Sequence, residues 1–237
     1  MVKVVANIPV GPGVFLLKCQ EPTVANPGQF YMVRTKLGFP LLSRPLSVFH
    51  CDGKETHFLC QVLGEGTKML ESLTEGMDVL LEGPYGEGFP LPKGEKKTIG
   101  LLGGGMGAAP LLLLAKRLRE ERPKDQVEIY LGFQRDQDIG DLFQEAGFQV
   151  TVQLGGRITE SIPYERFDML YSCGPEAMMK RIHEHTKSLA YPVYVSLEKH
   201  MACGVGACLG CTQKTKSGQK RVCKEGPVFL SKEVFYE

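Results

Sequence analysis

The sequence lacks a surplus of either charge. Its 28 basic residues meet 27 acidic ones, a net charge of +1, so no broad cationic field draws it to nucleic acid or to an anionic membrane surface. It also lacks a long apolar run: the densest, Pro110 to Ala115, falls well short of the roughly 20 residues a bilayer span needs. Met1 to Val10 holds one Lys and no apolar core of a secretory leader. We therefore expect a cytoplasmic protein with no membrane and no nucleic-acid partner. Internal repeats and low-complexity tracts are missing as well. What is present is ordinary for a packed globular chain, 43% hydrophobic and 23% charged, and 237 residues leave room for two sizeable domains and a small appendage.

Three rhythms divide the chain. From 1 to 93, short apolar strands alternate with Gly and Pro turns: Val2 to Ala6, Val14 to Lys18, Phe30 to Thr35, Leu46 to Phe49, His57 to Val62 and Val79 to Glu82, with a short helix over Thr67 to Leu73. Such spacing predicts a small antiparallel β-barrel. From 94 to 195 the order becomes strand, helix, strand: Thr98 to Leu102, Ala108 to Glu121 and Val127 to Gly132, then strands at Gln149 to Leu154, Met169 to Ser172 and Val193 to Ser196, with a helix from Pro175 to about Leu189. That alternation predicts a parallel sheet in an α/β domain. The remainder, 196 to 237, holds half of the cysteines.

Eight cysteines in a chain without secretory signals point to a cofactor rather than to disulfides. Cys203, Cys208, Cys211 and Cys223 follow C-x4-C-x2-C-x11-C, whose first three positions match the plant-type 2Fe-2S spacing. Gly204, Gly206, Ala207 and Gly210 are small enough to let backbone N–H groups approach bridging sulfides. A structural zinc is the alternative, although four-cysteine zinc sites come as two close pairs and only Cys208 and Cys211 form one here. Cys19, Cys51 and Cys60 lie in strands, where a free Cys is usually a small buried hydrophobe.

Other segments suit nucleotides. Arg44-Pro45-Leu46-Ser47 opens a barrel strand: the Arg can grip a phosphate bidentately and Ser47 can hydrogen-bond a ring edge. Gly64-Glu65-Gly66-Thr67 leads into the short helix with free N–H groups. Gly83-Pro84-Tyr85-Gly86-Glu87-Gly88-Phe89 follows an apolar strand and either holds a ring edge or closes the barrel. Gly103-Gly104-Gly105-Met106-Gly107-Ala108 joins a strand to a helix and fits G-x-G-x-x-A. Pro110 is tolerated there because it falls in the first helical turn. The next strand ends at Gly132-Phe133-Gln134-Arg135-Asp136 with no acid at its tip for a ribose hydroxyl, so NAD and NADP are not distinguished. Cys173-Gly174-Pro175 joins another strand to a helix, and its glycine lets a ring approach the backbone.

With these motifs in order, residues 1 to about 195 resemble the ferredoxin-NADP reductase superfamily. Adding Glu198 to Cys211, the chain resembles the electron-transfer subunits of NAD-dependent, type B dihydroorotate dehydrogenases. The resemblance implies FAD at Arg44, Pro45, Leu46, Ser47, Leu59, Cys60, Gln61, Gly66 and Thr67. It implies NAD at Gly103, Gly104, Gly105, Gly107, Cys173, Gly174 and Pro175, and a 2Fe-2S cluster on Cys203, Cys208, Cys211 and Cys223. It further implies an FMN-containing catalytic subunit as partner, in a heterotetramer of two of each, acting in pyrimidine biosynthesis. No general base has a recognisable setting. Related subunits of NADPH-ferredoxin oxidoreductase, sulfide reductase or hydrogenase complexes share the same motifs and stay open.

Overall fold

The computed structural model describes residues 1–36, 40–135 and 138–236. Strands β1 (Val2–Gly11), β2 (Val14–Cys19), β3 (Phe30–Thr35), β4 (Arg44–Cys51), β5 (Thr56–Gln61) and β6 (Asp78–Tyr85) close into a barrel in the order β1-β2-β5-β4-β3-β6, all neighbours antiparallel. Closure removes the free edges that short strands would otherwise expose. Phe15, Leu17, Tyr31, Val33, Val48 and Phe58 fill the interior, together with Leu70 of helix α1 (Glu65–Glu71). The Asn7 side-chain amide donates to the carbonyls of Leu70, Glu71 and Leu73 at 2.9 to 3.0 Å, tying the end of α1 to β1.

The second half builds a sheet from β7 (Thr98–Gly104), β8 (Gln126–Phe133), β9 (Val150–Leu154), β10 (Met169–Cys173) and β11 (Val193–Ser196), parallel in the order β11-β10-β7-β8-β9. Helices α2 (Ala109–Glu121), α3 (Ile139–Glu145) and α4 (Glu176–Thr186) form its connections. After β7 the chain steps one way to β8 and β9, then returns to the other side of β7 for β10. Open α/β sheets bind ligands in the crevice at such a reversal, outside the carboxyl ends of the strands.

The last segment is tied to both halves. Strands β12 (Thr212–Thr215) and β13 (Gly218–Arg221) form a two-stranded hairpin, and β14 (Val228–Leu230) adds antiparallel to β11 as a sixth strand of the large sheet, followed by α5 (Ser231–Val234). On the barrel side, Glu87 N–H donates to the Gly226 carbonyl at 2.6 Å. Gly204 packs so close to Met32 and Tyr85 that a Cβ there would lie 2.7 Å from the Met32 side chain.

Helix α2 joins barrel and sheet. Its sequence Ala-Pro-Leu-Leu-Leu-Leu-Ala is apolar on every face, and every residue from Ala109 to Ala115 is buried. Leu111, Leu112 and Leu114 belong to a core shared by Phe49 and Leu59 of the barrel and Leu101 and Leu131 of the sheet, while Leu113 enters the barrel's own core. Ahead of α2, the 3-10 turn Gly105–Ala108 lies hard against β10: a Cβ on Gly107 would sit 2.1 Å from the Cys173 carbonyl oxygen. Backbone on backbone leaves no flexible side chain to yield. We expect Gly107→Ala to lose at least about 2 kcal/mol of stability in urea unfolding. A midpoint equal to that of the parent would contradict this packing.

Candidate functional site

Two clefts open on this scaffold. The first, about 660 Å3, runs along the mouth of the barrel. Arg44, Pro45, Leu46 and Ser47 at the start of β4, Leu59, Cys60 and Gln61 of β5, and Gly66 and Thr67 of α1 all line it. These are the nine positions that the family resemblance implies for FAD. Arg44 lies flat on Gly66, where a Cβ would fall 2.1 Å from the guanidinium Nε, and it also donates to the Leu42 carbonyl. The Thr67 hydroxyl accepts from the Leu63 and Gly64 N–H groups at 2.8 and 3.1 Å and donates to the Gly64 carbonyl, holding the turn that presents Gly66. The far wall, not anticipated from the sequence, is Ser196, Leu197, Glu198, Lys199, His200 and Met201. Cys173 borders this cleft too; burial pushes its thiol pKa up, so it stays protonated and is no nucleophile.

The second cleft, about 620 Å3, lies over the carboxyl ends of the parallel strands. Gly104, Gly105 and Pro175 line it. Gly105 has φ +54° and open space where a side chain would be. Gly103, Gly107 and Gly174 lie outside the cleft lining and are closely packed. A Cβ on Gly103 would meet Leu131 at 2.7 Å, one on Gly174 would meet Gly104 backbone at 2.9 Å, and Gly107 seats the Cys173 carbonyl. Arg157, Thr159 and Arg181, to which no motif points, also line the cleft with Arg135. Asp136 lies outside the described residues. Gln61 and Met106 line both clefts, so the two spaces share a wall.

Two residues beyond Met201 begins the loop of cysteines. It curls through positive φ at Gly204, Gly206 and Leu209, which turns N–H groups inward: Cys208 N–H donates to Cys203 Sγ at 3.4 Å. N–H donors from Cys208, Val205 and Ala207 draw the Cys203 thiol pKa down to about 6, favouring the thiolate that iron requires. Cys223 N–H donates to Cys211 Sγ at 3.4 Å, and burial beside Cys211 pushes the Cys223 thiol up to about 12. Arg221 braces the loop, donating to the Gly206 carbonyl at 3.1 Å and pairing with Glu225, whose carboxyl it holds down to about 2. Among the described residues, no three His, Cys, Asp or Glu side chains are arranged to hold a single metal ion. The thiols meet instead as two pairs, Cys203 with Cys208 and Cys211 with Cys223. A two-iron centre takes two cysteines per iron, whereas structural zinc takes four thiolates around one point. The donor set thus fits the cluster better than zinc.

Residues 198–235 match the family model described as the iron-sulfur cluster binding domain of dihydroorotate dehydrogenase B. The chain is 40% identical over 239 residues to the "Dihydroorotate dehydrogenase B (NAD(+)), electron transfer subunit" of Clostridium perfringens, covering 98% of this chain and 96% of that one. It is 38% identical to the protein so named in Clostridium acetobutylicum, covering 98% and 95%. It belongs to that family.

Membership in the dihydroorotate dehydrogenase B electron transfer subunits carries the oxidoreductase class with it. Among solved structures, that of an NADH-dependent reduced ferredoxin-NADP oxidoreductase matches at TM-score 0.85 and 26% identity, covering 99% of this chain and 89% of that one. A ferredoxin NADP+ reductase from Neisseria gonorrhoeae with bound FAD and NADP shares the fold of 80% of this chain, at TM-score 0.64 and 17% identity. For the barrel cleft, FAD is the probe. We expect Arg44→Ala and Gly66→Ala each to weaken FAD binding roughly tenfold or more, the scale of one charge-assisted hydrogen bond, with cluster iron retained. Because both changes act on one guanidinium, the double variant should be little worse than either single one. Full additivity would separate Gly66 from Arg44.

Proposed function

We propose that this chain carries electrons from the FMN of a catalytic dihydroorotate dehydrogenase subunit, through a 2Fe-2S cluster and FAD, to NAD+ in pyrimidine biosynthesis. The observation that carries the reading is the order of the sites: the nucleotide cleft shares Gln61 and Met106 with the barrel cleft, whose opposite wall runs within two residues into the cysteine loop. FAD in the middle supplies the exchange between the hydride pair of a nicotinamide and the single electrons of a cluster.

In this reading the barrel, 1–93, holds FAD through Arg44 to Ser47, Leu59 to Gln61 and Gly66 and Thr67. The α/β part, 94–195, holds NAD, with Gly104, Gly105 and Pro175 against it and Gly103, Gly107, Cys173 and Gly174 shaping the crevice floor. The tail, 196–237, holds the cluster on Cys203, Cys208, Cys211 and Cys223. Arg44 anchors phosphate, Ser47 orients the ring, and Leu59, Leu197 and Met201 keep water from the cleft. Cys208 is exposed, and Val205 and Leu209 beside it are apolar and 49% and 61% exposed, which suits burial against a partner subunit. We propose a heterotetramer of two chains of each kind, in the cytoplasm. No helix of the described residues is long and apolar enough to cross a membrane.

The 26% identity to a reduced ferredoxin-NADP oxidoreductase favours a second reading, the same relay serving that class of complex. The 38 to 40% identity to dihydroorotate dehydrogenase subunits favours the first. The two are separated by activity. Loaded with FAD and cluster, the chain should oxidise NADH with a dye acceptor but leave dihydroorotate untouched, and NAD+ reduction by dihydroorotate should appear only on adding the FMN-containing partner. Dihydroorotate oxidation by the chain alone, or none with the partner, contradicts the proposal.

A further inference from the structure

At the far end of the nucleotide cleft from the shared wall, the turn after β9 carries Arg157, Ile158, Thr159 and Glu160. A single carboxylate oxygen of Glu160 lies 3.6 Å from Arg157 and 3.5 Å from Arg181 of α4. Both arginines line the cleft, and Glu160 ties them together. Thr159, on the same turn, also lines the cleft, although its hydroxyl is itself buried and has no hydrogen-bond partner. Two guanidinium groups on one cleft suit an anionic, oxygen-rich ligand.

We propose that Glu160 sets the choice between the two nicotinamide dinucleotides, resting on the reading of this cleft as the dinucleotide site. With one end of the ligand at the wall shared with the flavin cleft, the adenosine end reaches the turn after β9. A free ribose 2'-hydroxyl is neutral and can donate to the Glu160 carboxylate. A 2'-phosphate, near −2 in charge, meets that carboxylate as a like charge. The two guanidinium groups would otherwise make a phosphate fork, and Glu160 already occupies them. Discrimination thus comes from a repulsive element on the turn after β9. The strand-tip acid of the Rossmann fingerprint is not needed for it.

ADP-ribose and 2'-phospho-ADP-ribose test this by calorimetry on the FAD- and cluster-loaded chain, with no turnover involved. The parent should bind ADP-ribose more tightly. In Glu160→Gln, the 2'-phospho ligand should gain about tenfold while ADP-ribose loses about twofold, the scale of partly exposed charge contacts. The gain should shrink at high salt and vanish when Arg157→Ala is added. An unchanged affinity ratio in Glu160→Gln, or a gain that survives loss of Arg157, overturns the role of Glu160. Failure of the parent to bind either ligand overturns the dinucleotide reading itself, and the proposal with it.

Discussion

Everything that a relay needs from this fold depends on the burial of one helix. Helix α2 has no polar face in its first two turns, so it is stable only when enclosed, and it is enclosed by barrel and sheet at once. Each fully buried leucine contributes about 1.5–3 kcal/mol, and Leu111 to Leu114 are four such residues in a row. An interface of that kind is the core of one body rather than a contact between two mobile domains. Met106, just ahead of α2, is therefore held where both clefts meet, and the spacing between their contents is set by packing.

The tail obeys the same constraint from another side. β14 completes the large sheet, Gly226 binds Glu87 at the barrel, and Gly204 presses on Met32 and Tyr85. The cysteine loop is thereby fixed next to the barrel cleft while its tip, Cys208 and Leu209, faces outward. One side of the loop lies toward the barrel cleft and the other is open to solvent, the arrangement that the proposed relay needs for electron entry.

Much of this was legible in the residues. Six alternating strands with Gly and Pro punctuation predict the barrel, and strand-helix alternation predicts the parallel sheet, because both patterns follow directly from which faces are buried. The C-x4-C-x2-C spacing and Arg44 to Ser47 are local, so their geometry is written in sequence order. What escaped is nonlocal or short. Hairpin β12–β13 is polar and four residues per strand, β14 has three residues, and α3 has seven. None carries enough period to show. The glycine motif reads as one unit, yet only Gly104 and Gly105 of its four glycines face the cleft, since the others are required by β8, β10 and α2 packing against them. Arg157 and Thr159 lie on the turn after β9 and Arg181 on α4, two elements that only the tertiary fold brings together.

The central claim, that reducing equivalents pass between nicotinamide and cluster by way of the flavin held in the barrel cleft, is most directly tested by low-temperature electron paramagnetic resonance during anaerobic NADH titration of the loaded chain. The account predicts a reduced 2Fe-2S signal that grows with NADH and is absent from chain depleted of FAD but retaining its cluster. A cluster reduced by NADH equally well without FAD, or one that stays oxidised while FAD is reduced, would contradict it.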